Sequence, residues 1–161
     1  MLLIVDTNVP IVANIKSSQA SPQCVRACVK KIQEIQTQHT LLFDDCWLIL
    51  KEYQNKLSSK GQPGVGDAFF KWVLTNQRNP QRCQFLKITP ISEESFEEFP
   101  KDASLAGFDV SDRKFVALAL AHPEKPPILN AVDSDWRNFE TALNQFGVKV
   151  EFLCPELTAR P

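Results

Sequence analysis

Residues 1–8 read MLLIVDTN, and this stretch decides the fold. Leu2, Leu3, Ile4 and Val5 form a continuous apolar run of the length expected for a strand buried on both faces, and such strands belong to parallel sheets. The run stops abruptly at Asp6. In a parallel sheet the position after a strand lies at its carboxyl edge, where α/β proteins bind ligands, so Asp6 is a candidate for chemistry as well as for capping.

Further segments alternate between strand and helix. Ser21-Pro22 is a cap and first-turn signal for a helix over 21–38, with Val25, Val29, Ile32 and Ile35 at helical spacing. Residues 41–43 (LLF) read as a second strand, followed by a helix carrying Trp47, Leu48, Leu50 and Glu52, with Asp44 or Asp45 as its cap. A Gly/Pro turn over 62–66 precedes a helix beginning at 69–74, and 85–88 read as a third strand. Residues 93–99 suggest a short acidic helix stopped by Pro100. Ser111 is placed to cap a helix over 112–121, whose body FVALALA is apolar nearly all round and therefore expected against a sheet. Residues 127–129 form strand four, 136–146 a helix closed by Gly147, and 148–153 strand five. The alternation predicts one α/β domain over residues 1–161, a three-layer α/β/α arrangement around a mostly parallel sheet of about five strands, Rossmann-like in outline. No internal repeat or linker divides it.

The 161 residues suffice for one domain, and the 43% hydrophobic fraction excludes a disordered chain. Net charge is −1, so any nucleic-acid contact must come from a local patch or a bound cation. The apolar start is too short and lacks the basic flank of a signal peptide, and no segment reaches the ~18 apolar residues of a membrane span. The five cysteines (24, 28, 46, 83 and 154) are odd in number and irregular in spacing. They read as buried thiols of a cytoplasmic protein rather than a disulfide framework. Cys24 and Cys28 lie one helical turn apart, but the two histidines are too distant in sequence to suggest a zinc site.

The acids carry the chemistry. Asp6 follows strand one, Asp133 and Asp135 follow strand four, Asp112 opens a helix, and Glu52 lies in the helix after strand two. Brought together, such carboxylates would repel one another unless a hard divalent cation, Mg²⁺ or Mn²⁺, neutralised them. Each has a plainer use: Asp112 as a first-turn dipole residue, Asp135 as a cap, and Glu52 as a surface partner of Lys56 at i+4.

Four segments, taken together, resemble the PIN-domain ribonucleases. LLIVDTNVPI resembles the opening strand motif, DDCWLILKEYQNKL the glutamate helix, SDRKFVALALA the aspartate-led apolar helix and ILNAVDSDWRNF the closing strand with Asp-x-Asp. Their order fits that family over nearly the whole chain. The resemblance implies a metal-dependent ribonuclease with Asp6, Glu52, Asp112 and Asp133 as catalytic and metal-binding acids and Asp135 as a supporting or alternative ligand. It also implies supporting roles for Thr7 and Asn8, and a Mg²⁺ or Mn²⁺ cofactor. An RNA substrate follows from it too, as do an antitoxin partner, since many bacterial members are toxins, and pairing into a homodimer. A non-catalytic RNA- or protein-binding module of the same fold is the alternative. Two departures stand out. Ala131 occupies a place where family members often carry a hydroxyl, leaving Asn130 as its possible substitute, and Asp109 competes with Asp112 for the third motif. For RNA contact the candidates are Arg113, Lys114 and Arg137 beside the acids, and Lys71, Arg78 and Arg82 in a basic stretch over 71–87 that also holds Lys87, Trp72 and Phe85. A phosphotransfer domain is the third reading, but no lysine follows strand five.

Overall fold

The structure, a computed structural model, describes residues 1–158. Five strands, β1 (Leu2–Val5), β2 (Thr40–Asp44), β3 (Cys83–Leu86), β4 (Ile128–Asn130) and β5 (Val150–Phe152), form one sheet in the order β3-β2-β1-β4-β5. Every pairing is parallel, as the buried apolar strands require. Leu3 pairs with Leu41 on one side of the central strand, and Ile4 with Ile128 on the other.

From β1 the chain steps through β2 to β3, then returns past β1 to β4 and β5. Right-handed crossovers accordingly place the first helices and the later ones on opposite faces. On one face α1 (Asn8–Ala13), α2 (Pro22–Gln38) and α4 (Val65–Asn76) pack against each other. On the other, α5 (Arg113–Ala121) touches both β2 and β4 and buries Phe115 through Ala119. α3 (Leu48–Lys56) leaves the end of β2, and α6 (Ser134–Asn138) leaves the end of β4. α7 (Glu140–Gln145) and α8 (Pro155–Thr158) complete the helices of the described residues. This is the expected three-layer, Rossmann-like α/β fold. No helix among the described residues is long and apolar enough to cross a membrane.

Local expectations fail in instructive places. Residues 93–99 are not a helix: Pro90 bridges Phe96, and the Glu98 carboxylate accepts the Thr89 N–H, so docking of Phe96 and Phe99 into the core sets that segment. The helix over 136–146 begins earlier and is broken at Phe139, whose ring meets Phe108 edge-on at 5.4 Å. Ser111 does not cap α5. The chain enters through a 3₁₀ turn, Val110–Asp112, in which Asp109 accepts the Ser111 N–H. Strand β3 begins two residues before the expected position. The short helix α1, with Pro10 at its third position, was not foreseen. Pro10 sits in the first turn, where its missing N–H has no intrahelical partner to lose.

The cysteine expectation is corrected. Cys24, in the first turn of α2, is disulfide-bonded to Cys154, which follows β5, across 130 residues. Both belong to the same sheet edge in a parallel topology, a proximity invisible to linear spacing. Cys28 and Cys83 are buried thiols, and burial pushes Cys28 up to about 12. With two of the five cysteines bridged, the thiols give no support to a cytoplasmic location.

A carboxylate cleft at the switch point of the sheet

β1 and β4 are adjacent, yet the chain leaves them in opposite directions. Their carboxyl ends thus frame the crevice in which open α/β sheets bind ligands. Asp6 and Asp133 stand at these two ends. Asp112 reaches the same point from the 3₁₀ turn before α5. One carboxylate oxygen from each of the three lies within 4.8 Å of the others. Asp109, the competing residue, is exposed and spends its carboxylate on Ser111.

Each acid is held by its neighbours. Asp6 is buried. One of its oxygens accepts the Asn8 N–H at 3.0 Å and the other the Trp136 indole N–H at 2.8 Å. Asp133 caps α6 by accepting the Asp135 N–H at 2.9 Å. Glu52 is outside the 4.8 Å group but lines the same cleft. The Thr7 hydroxyl donates to one of its oxygens, and the Lys114 ammonium sits 3.2 Å from the other. Its ion-pair partner is thus Lys114, not Lys56. Asp135 belongs to neither the trio nor the cleft lining, and its backbone rather than its carboxylate serves the site.

The loop after β4 is fixed by amides. The Asn8 side chain donates to the Asn130 side-chain Oδ1 at 2.7 Å and accepts the Ala131 N–H at 2.8 Å, while the Asn130 side-chain Nδ2 donates to the Asp133 backbone carbonyl at 3.0 Å. Asn130 is therefore committed to loop geometry and does not replace the hydroxyl missing at Ala131.

Electrostatics follow from crowding. Burial, opposed by the Asn8 and Trp136 hydrogen bonds and reinforced by Glu52 and Asp133, pushes Asp6 up to about 7. Burial, then the charges of Asp6, Asp133 and Asp109, push Asp112 up to about 8 despite Lys114. Asp133 is raised too, chiefly by burial. Three crowded carboxyls, each raised in pKa, with no histidine or thiol among them, form a donor set suited to a hard, oxygen-seeking divalent cation. Asp6, Asp133 and Glu52 line a cleft of about 360 Å³ together with Thr7, Asn8, Ile11, Gln19, Lys56 and Ser134, and Asp112 meets Asp6 and Asp133 behind it.

The predicted RNA contacts separate. Lys114 is buried, bonded to Glu52 and the Ser111 carbonyl, so it tunes the acids rather than meeting a surface phosphate. Arg113 turns away and binds the carbonyls of Ala106 and Phe108, with its guanidinium 4.8 Å from the Phe99 ring centre. Arg137 pairs with Glu140 at 2.6 Å and lies over Phe152. Arg78 and Arg82 precede β3, so a parallel sheet places them at the edge opposite the acids. Lys71 lies on α4, beside a separate pocket with Lys60 and Trp72. Sequence reasoning overlooked Lys56, read only as a helix-surface partner, and Trp136, whose indole N–H had no visible partner 130 residues away.

Comparison of the chain with protein-family models, with curated proteins and with solved structures finds no match in any of the three.

Proposed function

We propose that this protein is a divalent-metal-dependent ribonuclease, with Asp6, Asp112 and Asp133 holding Mg²⁺ or Mn²⁺ and RNA as the substrate. The observation that carries the reading is the convergence of three carboxylates, two buried and one half-buried, from distant parts of the chain at the switch point of a parallel sheet. Such a cluster is unfavourable without a cation and favourable with one. A bound cation of this kind supplies an activated water and neutralises charge developing on a phosphodiester. The chain's own groups do the rest. Trp136 and Asn8 fix the Asp6 carboxylate, Thr7 and Lys114 fix Glu52 at the cleft, and Lys56 is the basic residue that lines it. The resemblance of the four motifs to PIN-domain ribonucleases points the same way.

The absence of a hydroxyl at Ala131, with Asn130 committed elsewhere, favours a second reading: a module of the same fold that binds metal and RNA without cutting it. Incubating single-stranded and structured RNAs with Mn²⁺, alongside Asp6→Asn, decides between them. Cleavage by the native chain alone is the expected result. Mn²⁺ binding without cleavage supports the second reading, and an inability to bind Mn²⁺ removes both.

A further inference from the structure

Trp47 is out of place for a structural residue. It is 47% exposed, whereas Trp136 is fully buried and Trp72 half-buried. Its backbone takes a left-handed conformation, φ 63°, rare for a bulky side chain and common where a site dictates geometry. Its ring lies nearly parallel to Phe85, with centroids 6.2 Å apart and planes 19° apart, and Phe85 in turn leans on the buried Phe43. One indole face is thus backed by aromatics, and the ring is about half open to solvent.

The platform shares the edge of the acid cleft. Trp47 lies between the end of β2 and the start of α3, and the exposed Lys87 follows β3 at the same edge. β3 is two strands from β1, so the platform lies about 10 Å from the strand that presents Asp6. Glu52, on the cleft wall, is five residues along α3 from Trp47, roughly 7–8 Å of helix. An exposed aromatic plane at this distance, with a lysine following β3 at the same edge, suits a neighbouring base and phosphate of the strand whose backbone occupies the cleft.

We infer that Trp47, supported by Phe85 and flanked by Lys87, is the stacking platform for an unpaired base of a single-stranded nucleic acid lying in the Asp6 cleft. The inference rests on the ribonuclease or RNA-binding reading and adds the substrate's form: an unstacked single strand. A duplex keeps its bases inside the stack and offers the indole none.

The test measures fluorescence anisotropy of a labelled single-stranded 12-mer oligoribonucleotide with phosphorothioate linkages, in Mn²⁺, with Mn²⁺ binding followed separately by calorimetry. Trp47→Ala should weaken oligonucleotide binding about 5- to 150-fold, the loss expected for one stacked base, and leave Mn²⁺ binding unchanged. Trp47→Tyr should recover most of the affinity, and a duplex of the same sequence should compete poorly. Equal binding by Trp47→Ala, or equal competition by duplex, overturns the inference while the metal site stands. Mn²⁺ binding by the native chain without oligonucleotide binding also overturns it. If the native chain binds no Mn²⁺, the proposed function itself fails, and this inference with it. A thermal unfolding midpoint within a few degrees of native shows that Trp47→Ala is folded; if it is not, the comparison of Trp47→Tyr with Trp47→Leu replaces it, equal affinity again overturning the inference.

Discussion

Asp6 concentrates the physical problem of this molecule in one side chain. It ends a buried strand, faces two other acids, and relies on the Trp136 indole and the Asn8 amide for its hydrogen bonds. Asp6→Asn keeps an acceptor for the indole but removes a charge. The metal-free variant should melt no lower than the native protein, and its Mn²⁺ affinity should fall by at least tenfold in calorimetry. Trp136→Phe preserves most of the buried ring and deletes the donor. It should cost about 1–3 kcal/mol in urea unfolding, the penalty for a buried acceptor left without its partner. If Trp136→Phe is as stable as the native chain, the indole does not hold Asp6. Asp6 was legible in the sequence because it interrupts an apolar strand. Trp136 was not, because its role depends on a contact with a residue at the other end of the chain.

At the level of elements, two devices set the geometry of the edge. Asp44 ends β2 and accepts the N–H groups of Leu48 and Ile49 at 2.8 and 3.0 Å, starting α3 and so placing Glu52. Asp44→Ala should lower stability by about 0.5–2 kcal/mol and lessen Mn²⁺ affinity, measurable by urea unfolding and calorimetry; unchanged stability would show the cap to be idle. The Cys24–Cys154 disulfide ties the first turn of α2 to the segment after β5. Closing so long a loop restricts the unfolded chain, so Cys154→Ser should destabilise by roughly 4–5 kcal/mol if chain entropy dominates. An unfolding midpoint unmoved by the substitution or by reductant would mean that the bond does not form in solution. The cap at Asp44 could be read from its neighbours in sequence, whereas the disulfide could not, since its partners meet only when the strands align. The acidic segment over 93–99 failed for a related reason: its helical composition yields to the burial of Phe96 and Phe99.

Across the whole molecule the acid cluster makes stability depend on pH in a defined direction. Asp6 and Asp112 take protons up to about 7 and about 8 when folded, against an ordinary value of 3.8. Between these limits the folded chain binds more protons than the unfolded chain. Their contribution is therefore full below about pH 4 and declines as pH rises through 7 and 8. The metal-free protein should lose thermal stability from pH 5 to pH 8.5. Saturating Mn²⁺ should offset that loss most strongly at the alkaline end, where the carboxylates are ionised and free to bind. A melting temperature that is flat over this range and insensitive to Mn²⁺ would contradict the coupled cluster.

The order of the five strands, the long helices α2 and α5, the parallel sheet and the acids worth inspecting were written in local pattern: apolar runs of strand length, caps, and carboxylates placed just beyond them. Hydrophobic periodicity and capping act over a few residues, so they survive in the linear sequence. Which acids share oxygens within 4.8 Å, which lysine pairs with Glu52, that Arg78 and Arg82 lie on the far edge, and that Cys24 finds Cys154 were decided only by the tertiary structure. Those facts depend on strand order and crossover direction, which bring residues more than a hundred positions apart to one end of the sheet.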